Sequence, residues 1–229
     1  KSGRIYAYDT PEYVKDMGTK DRLPVICADV ESGKVSRLNK KNARPAVFLD
    51  RDGVLNRDMD KAPRAENFEL LPGVSEAVRL LNQSDYLSIV VTNQPMIAKG
   101  FVTFHDVDEV HKRLETELGN EKAYLDGIYF CPHHPEKGFP GEVAELKIDC
   151  GCRKPKPGML LRAKEDFNID LQSSWMIGDR DSDMQAGKNA GCHTILVGDP
   201  ISGSTAADYR FPNLLEAVRF ILTRKENND

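Results

Sequence analysis

No stretch of this 229-residue chain comes near the about 18 uninterrupted apolar residues that a membrane-crossing helix needs. The opening residues, KSGRIYAYDTPEY, hold no apolar run of the kind that marks a secretory signal. A membrane partner is therefore not expected. The chain starts on Lys1 rather than Met and is expected to be a piece of something longer. It also lacks any lysine- or arginine-rich block, and its formal net charge is −4, which disfavours a nucleic-acid partner. No internal repeat is visible. Cysteine is scarce: Cys27, Cys131, Cys150, Cys152 and Cys192 make an odd set of five. With no signal, that count points to a reducing compartment, and a cytoplasmic location is expected.

What is present is an ordinary globular balance, with 40% hydrophobic and 30% charged residues. The length lies between one large domain and two small ones. Residues 1–45 are polar, with scattered glycine and proline and no sustained apolar periodicity. Arg37–Arg44 reads as a short basic linker. From Pro45 the pattern becomes regular, so an N-terminal extension (1–45) and a main domain (46–229) are expected. Short apolar, partly β-branched runs at Ala46–Leu49, Leu87–Val91, Gly127–Phe130, Ser174–Ile177 and Thr194–Val197 predict strands. Between and after them, Val74–Leu81, Phe104–Leu118, Gly158–Phe167, Met184–Ala190 and Leu214–Leu222 have helical spacing. Residues 131–157, rich in Cys, His, Pro and Gly, predict a loop. Alternating strands and helices imply an α/β fold with a parallel sheet, in which ligands sit at the carboxyl ends of the strands.

Four polar constellations bear on chemistry. Asp50-Arg51-Asp52-Gly53 places two carboxylates directly after a buried strand. A turn could use the same residues, but the strand-end position and the Leu-Asn that follows the glycine favour a site. Thr92-Asn93-Gln94 offers a hydroxyl and two amides that could bond phosphate oxygens or cap the next segment. Gly178-Asp179-Arg180-Asp181-Ser182-Asp183 opens a helix with three acids. The helix dipole accounts for one or two of them, and a divalent cation such as Mg²⁺ would neutralise the rest through oxygen ligands. Arg153-Lys154, between prolines and ahead of a helix, is a candidate phosphate contact or a solvated pair.

In chain order, Asp50-Arg51-Asp52-Gly53, Thr92, Lys154 and Gly178-Asp179 with Asp183 resemble the motifs of the haloacid dehalogenase-like phosphatases. The likeness spans roughly residues 45–200. It implies a Rossmann-like parallel sheet with helices on both faces, a small cap and a required Mg²⁺. It further implies Asp50 as nucleophile, forming an aspartyl phosphate, and Asp52 as general acid and then general base. Thr92 and Lys154 would hold the transferring phosphoryl group. Asp179 would complete the metal site with Asp50 and the backbone carbonyl of Asp52. Arg51, Asn93, Arg153 and Arg180 are the expected substrate contacts. The chemistry is coherent: a carboxylate nucleophile divides one hard displacement into two easier ones. A second carboxyl can serve the leaving group and then water, while cations offset charge on the phosphoryl oxygens.

Cys131-Pro132-His133 and Cys150-Gly151-Cys152 supply three thiolates and one imidazole, a closed tetrahedral set suited to structural Zn²⁺. Spacing alone does not separate His133 from His134. The loop from CPHHPE to CGCRKPKPGM resembles that of the family holding the heptose bisphosphate phosphatases and the histidinol-phosphate phosphatases. This implies a small sugar phosphate, a heptose 1,7-bisphosphate, as substrate, with histidinol phosphate or another sugar phosphate as the alternative. It also implies that Asp58–Lys61 and Thr92–Pro95 border the substrate. The chain departs from that family at Asp60-Lys61, where Gly-Tyr is usual, and at Pro95-Met96-Ile97-Ala98-Lys99-Gly100, where Ser-Gly-Ile-Ala-Arg-Gly is usual. Finally, Arg4–Arg22, with Tyr13 to Thr19 and Asp16, resembles the tail of sugar-1-phosphate nucleotidyltransferases. This implies fusion to such an enzyme in a longer product.

Overall fold

The computed structural model describes residues 12–59, 63–198 and 207–226. The sequence expectations for Arg4–Pro11 and for Asp60 and Lys61 lie outside these residues. Among the described residues, seven α-helices and six strands follow in chain order. They are α1 (Leu23–Glu31), α2 (Lys34–Arg37), β1 (Ala46–Leu49), α3 (Val74–Asn82), β2 (Leu87–Asn93), α4 (Phe104–Asn120) and β3 (Gly127–Cys131). Next come α5 (Gly158–Phe167), β4 (Trp175–Gly178), α6 (Asp181–Ala190), β5 (His193–Val197), β6 (Tyr209–Phe211) and α7 (Leu214–Glu226).

The strands form one parallel sheet in the order β3-β2-β1-β4-β5-β6. Successive side chains of a strand point to opposite faces, and here both faces are covered. Val47 and Leu49 of β1, with Ile177 of β4, pack beneath α3, α4 and α7 through Ala77, Leu114 and Val218. Ala46 and Phe48, with Met176, pack on the other side against Leu160 of α5 and Ala186 of α6. Double burial is why these strands read as continuous apolar runs rather than alternating ones. The crossover from β1 to α3, residues 50–73, holds only a short 3₁₀ turn and isolated bridges among its described residues. It stands as the small cap.

The strand order reverses at β1, which lies between β2 and β4. In sheets of this kind, ligands bind where the loops diverge from such a reversal. Those loops begin at Asp50 and Asp179. Three elements differ from the sequence expectation. β2 continues through Thr92 and Asn93, so these are strand residues and not loop residues. β6 is a three-residue edge strand too short to show a period. The extension, in which no helix or strand is expected from the sequence, carries α1 and α2. It is tied to the main domain by Arg37 at 3.1 Å from Asp85 and by Asn168, whose amide donates to the carbonyls of Lys40 (3.0 Å) and Lys41 (3.2 Å).

Candidate active site

Asp50 directly follows β1, and its backbone N–H donates to the carbonyl of Ile177 across the sheet at 2.9 Å. Lys154 reaches it from the loop before α5. Its Nζ lies 2.9 Å from Asp50 Oδ1 and 2.6 Å from Asp183 Oδ1, and donates to the carbonyl of Val91 at 2.8 Å. The ammonium is thus anchored between two carboxylates and a backbone carbonyl. Burial works to lower the Lys154 pKa, but Asp50 and Asp183 outweigh it and hold the group charged. Asp50 is pushed up to about 6, first by burial and then by the charges of Asp183 and Asp52, against the pull of Lys154. Asn93 fixes the lysine's backbone: its amide donates to the Lys154 carbonyl at 3.1 Å and accepts from the Lys154 N–H at 3.0 Å.

Asp179 follows β4, and Asp183 lies one turn into α6. Carboxylate oxygens of Asp50, Asp179 and Asp183 fall within 4.8 Å of one another. Oδ1 of Asp179 is buried without a hydrogen-bond partner in the chain. Burial, then the charge of Asp50, raises the Asp179 pKa. An oxygen-only set with an unpaired buried acceptor suits a hard divalent cation. Close approach here needs glycine twice. A Cβ on Gly53, at φ +82°, would sit 2.4 Å from Asp179 Oδ2, and one on Gly178 would sit 2.2 Å from Asp183 Cβ.

Above this floor is a cavity of about 210 Å³. Asp52, Thr92, Arg153 and Arg180 line it, with Met59 and Met96 among the apolar walls. Arg180 crosses the mouth to Asp58 at 2.8 Å, and its Nε lies 3.7 Å from Asp179. Arg153 donates to the His133 carbonyl at 3.4 Å.

A model of the HAD hydrolase-like family matches residues 151–215. A D-glycero-beta-D-manno-heptose-1,7-bisphosphate 7-phosphatase of Yersinia pestis is 40% identical over 185 residues, covering 79% of this chain and 96% of that protein. A D-glycero-alpha-D-manno-heptose-1,7-bisphosphate 7-phosphatase of Burkholderia mallei is 40% identical over 179 residues, covering 77% and 93%. The chain belongs to the heptose-1,7-bisphosphate 7-phosphatase family. The solved D,D-heptose 1,7-bisphosphate phosphatase of B. bronchiseptica, complexed with magnesium and phosphate, has a TM-score of 0.68 at 28% identity and covers 79% of this chain and 99% of its own.

Within this heptose-1,7-bisphosphate 7-phosphatase family fold, the expected site residues do not all face the cavity. Arg51, expected at the substrate, is fully buried and is not among the residues that line the cavity. Its Nε and Nη2 donate to Asp52 Oδ1 at 3.2 and 3.1 Å, and Nη2 also donates to Oδ2 at 2.9 Å. Asn93 borders the cavity, but its amide is spent on Lys154. Asp52 also accepts from Asn56 (2.9 Å) and Gln94 (3.0 Å), and Gln94 donates to Thr92 Oγ1 at 2.9 Å. Burial works to raise Asp52, but Arg51, aided by these amides, holds it below the usual carboxylate range. The Asp52 carboxylate is therefore not part of the acidic trio, where Asp183 stands instead. Gln94 and Asp183 were visible in the motifs without an assigned place, whereas nothing in the sequence singled out Asn56.

The Cys and His residues of the loop between β3 and α5 are also brought together. Cys131 ends β3, and its Sγ lies 3.5 Å from Cys150 and 3.2 Å from Cys152. Cys150 and Cys152 are 3.2 Å apart. His133 Nδ1 lies 3.6 Å from Cys131 and 3.3 Å from Cys152. A tetrahedral zinc with Zn–S of about 2.3 Å needs edges of about 3.8 Å, a few tenths more than these. The four side chains fit such an ion with small movement. His134 is not in the cluster; its ring packs edge-on against Phe139, with centroids 5.8 Å apart. Cys27 is exposed, and Cys192 is buried behind β4.

Proposed function

We propose that this chain hydrolyses the 7-phosphate of a D-glycero-D-manno-heptose 1,7-bisphosphate, leaving the heptose 1-phosphate. The observation that carries the reading is the pairing of Asp50 with a buried Lys154 at the foot of an open cavity. The family relationship supports the same substrate class. Relatives named for the beta and for the alpha sugar are equally similar, so identity alone does not select the anomer.

In this reading an oxygen of Asp50 attacks phosphorus and the bond from phosphorus to the sugar oxygen breaks. Asp52 gives the leaving oxygen its proton. The aspartyl phosphate is then cleaved by a water whose proton Asp52 takes. As it stands, ionised and held by Arg51, Gln94 and Asn56, Asp52 is set for the second half-reaction. Lys154 and Thr92 hold the phosphoryl oxygens, and Arg153 and Arg180 face the rest of the substrate. Mg²⁺, held by Asp50, Asp179 and the Asp52 carbonyl, would supply charge neutralisation for the phosphoryl oxygens. Zn²⁺, held by Cys131, His133, Cys150 and Cys152, would have a structural role, pinning the loop that carries Arg153 and Lys154.

The low net charge and unpaired cysteines support a cytoplasmic enzyme acting on a small molecule without nucleic acid or membrane. The likeness of Tyr13–Thr19 to a nucleotidyltransferase tail supports a fused partner that uses the sugar 1-phosphate product. The test is phosphate release with Mg²⁺, comparing heptose 1,7-bisphosphate with histidinol phosphate. Loss of only the 7-phosphate is expected. A preference for histidinol phosphate would overturn the substrate and keep the mechanism.

A further inference from the structure

His111 is a buried titratable group that the reaction proposed above leaves unused. It lies in the middle of α4, is 8% exposed and belongs to none of the sequence motifs. Its ring meets Phe130 edge-on, with centroids 5.4 Å apart. Phe130 is the register partner of Thr92 in the ladder between β2 and β3. Thr92 Oγ1 accepts from Gln94, whose amide also donates to Asp52 Oδ2. From the other direction, Val54 and Leu55, in the loop that follows Asp52, share one core with Val110 and Leu114 of α4. The backbone N–H groups of Leu55 and Asn56 donate to the Arg51 carbonyl at 2.8 and 3.1 Å. Helix α4 thus sets His111 beside the residues that cradle Asp52. Burial, then the charge of Arg51, keeps the imidazole neutral, with Asp52 and Asp108 pulling the other way.

Three buried polar atoms of this region have no hydrogen-bond partner among the described residues: Arg51 Nη1, Asn56 Oδ1 and His111 Nε2. Their chemistry is complementary. Arg51 Nη1 only donates, the amide oxygen of Asn56 only accepts, and Nε2 of a neutral imidazole protonated on Nδ1 accepts. None of the three bonds another. One water satisfies all of them, taking an N–H from Arg51 and giving its two hydrogens to Asn56 and His111. Buried waters make about three such bonds to groups that are otherwise unpaired.

We infer that Arg51, Asn56 and His111 hold one buried water, and that through it His111 is a positioning residue for the pair of Arg51 and Asp52. Nη1 is the one guanidinium nitrogen that does not touch Asp52. Anchoring it keeps the planar fork on both carboxylate oxygens. A protonated His111 does not serve, because both ring nitrogens then donate. The positioning role rests on the reading of Asp52 as acid and base, whereas the water site does not.

His111→Leu keeps an apolar contact for Phe130 and removes the acceptor; His111→Gln keeps an acceptor. A high-resolution crystal structure of the parent protein should show one water within hydrogen-bond distance of all three atoms, and His111→Leu should lose it. In His111→Leu, kcat should fall by about three- to tenfold with KM within about twofold, and His111→Gln should recover most of that loss. At neutral pH, His111→Leu should lower the melting temperature of the parent but not that of Arg51→Met, since the two act as one unit. A dry site in the parent, unchanged kcat in His111→Leu, a His111→Gln no faster than His111→Leu, or equal melting losses in both backgrounds would each overturn the inference. A parent that releases no phosphate from the heptose bisphosphate would sink the proposed function instead, and the water and the melting-temperature comparison would still decide this site.

Discussion

Arg51→Met separates two roles for a residue whose position in the motif suggests a substrate contact. In the structure Arg51 is fully buried and grips both oxygens of Asp52 at 2.9–3.2 Å. Removing one member of a buried ion pair costs about 3–5 kcal/mol, because the other charge stays behind. Asp52 keeps 22% of its side-chain surface in contact with water and retains Asn56 and Gln94. The cost should therefore fall below that range, at about 2 kcal/mol. For a chain of this size that is a loss of about 4–8 °C in melting temperature. Without the guanidinium, the Asp52 carboxyl also rises. The turnover number should drop by about tenfold or more while KM stays within about twofold. Arg51→Lys, which keeps charge but not the planar fork, should fall between. Thermal melts and steady-state phosphate release measure both quantities. An unchanged melting temperature with a raised KM would refute the reasoning and return Arg51 to the substrate.

Burial, with the neighbouring Arg51, holds His111 down at about 4 against an ordinary 6.5, so the folded protein keeps it neutral where the unfolded chain takes up a proton. Stability should be level above pH 6.5 and fall as pH drops from there toward 4, with about 2 kcal/mol lost between pH 7.5 and 5. His111→Leu should flatten that part of a urea-denaturation series; an equally steep series in the variant would count against it. Elemental analysis should find about one zinc per chain, and Cys152→Ser should bring it near zero and lower phosphate release, since Lys154 is two residues away. A zinc-replete variant, or a zinc-free parent protein, would contradict the cluster's role. Gly53→Ala should cost about 100-fold or more in activity, because its backbone and the 2.4 Å approach to Asp179 both exclude a Cβ. A variant within about threefold of the parent would show that the acidic loop can yield.

The sheet was legible because strands buried on both faces are written as apolar runs, and Phe48 and Val47 read alike although they serve opposite cores. The acidic floor of the cavity was legible because acids that directly follow such a run stand at the carboxyl edge, as Asp50 and Asp179 do. Side-chain direction was not legible. Arg51 and Asp52 are neighbours in one motif, and only the fold shows that the first is buried to hold the second. His133 and His134 are equivalent by spacing, and the packing of His134 on Phe139 decides between them. Helix α1 was missed for a different reason: its apolar residues surround it, so no face stands out.

The most direct test is to acid-quench the chain during turnover of heptose 1,7-bisphosphate with Mg²⁺ and map the phosphoryl group by mass spectrometry. It should reside on the peptide that contains Asp50, and Asp50→Asn should carry none and release no phosphate above background. A phosphoryl group on another residue, or phosphate release that survives Asp50→Asn, would contradict the mechanism.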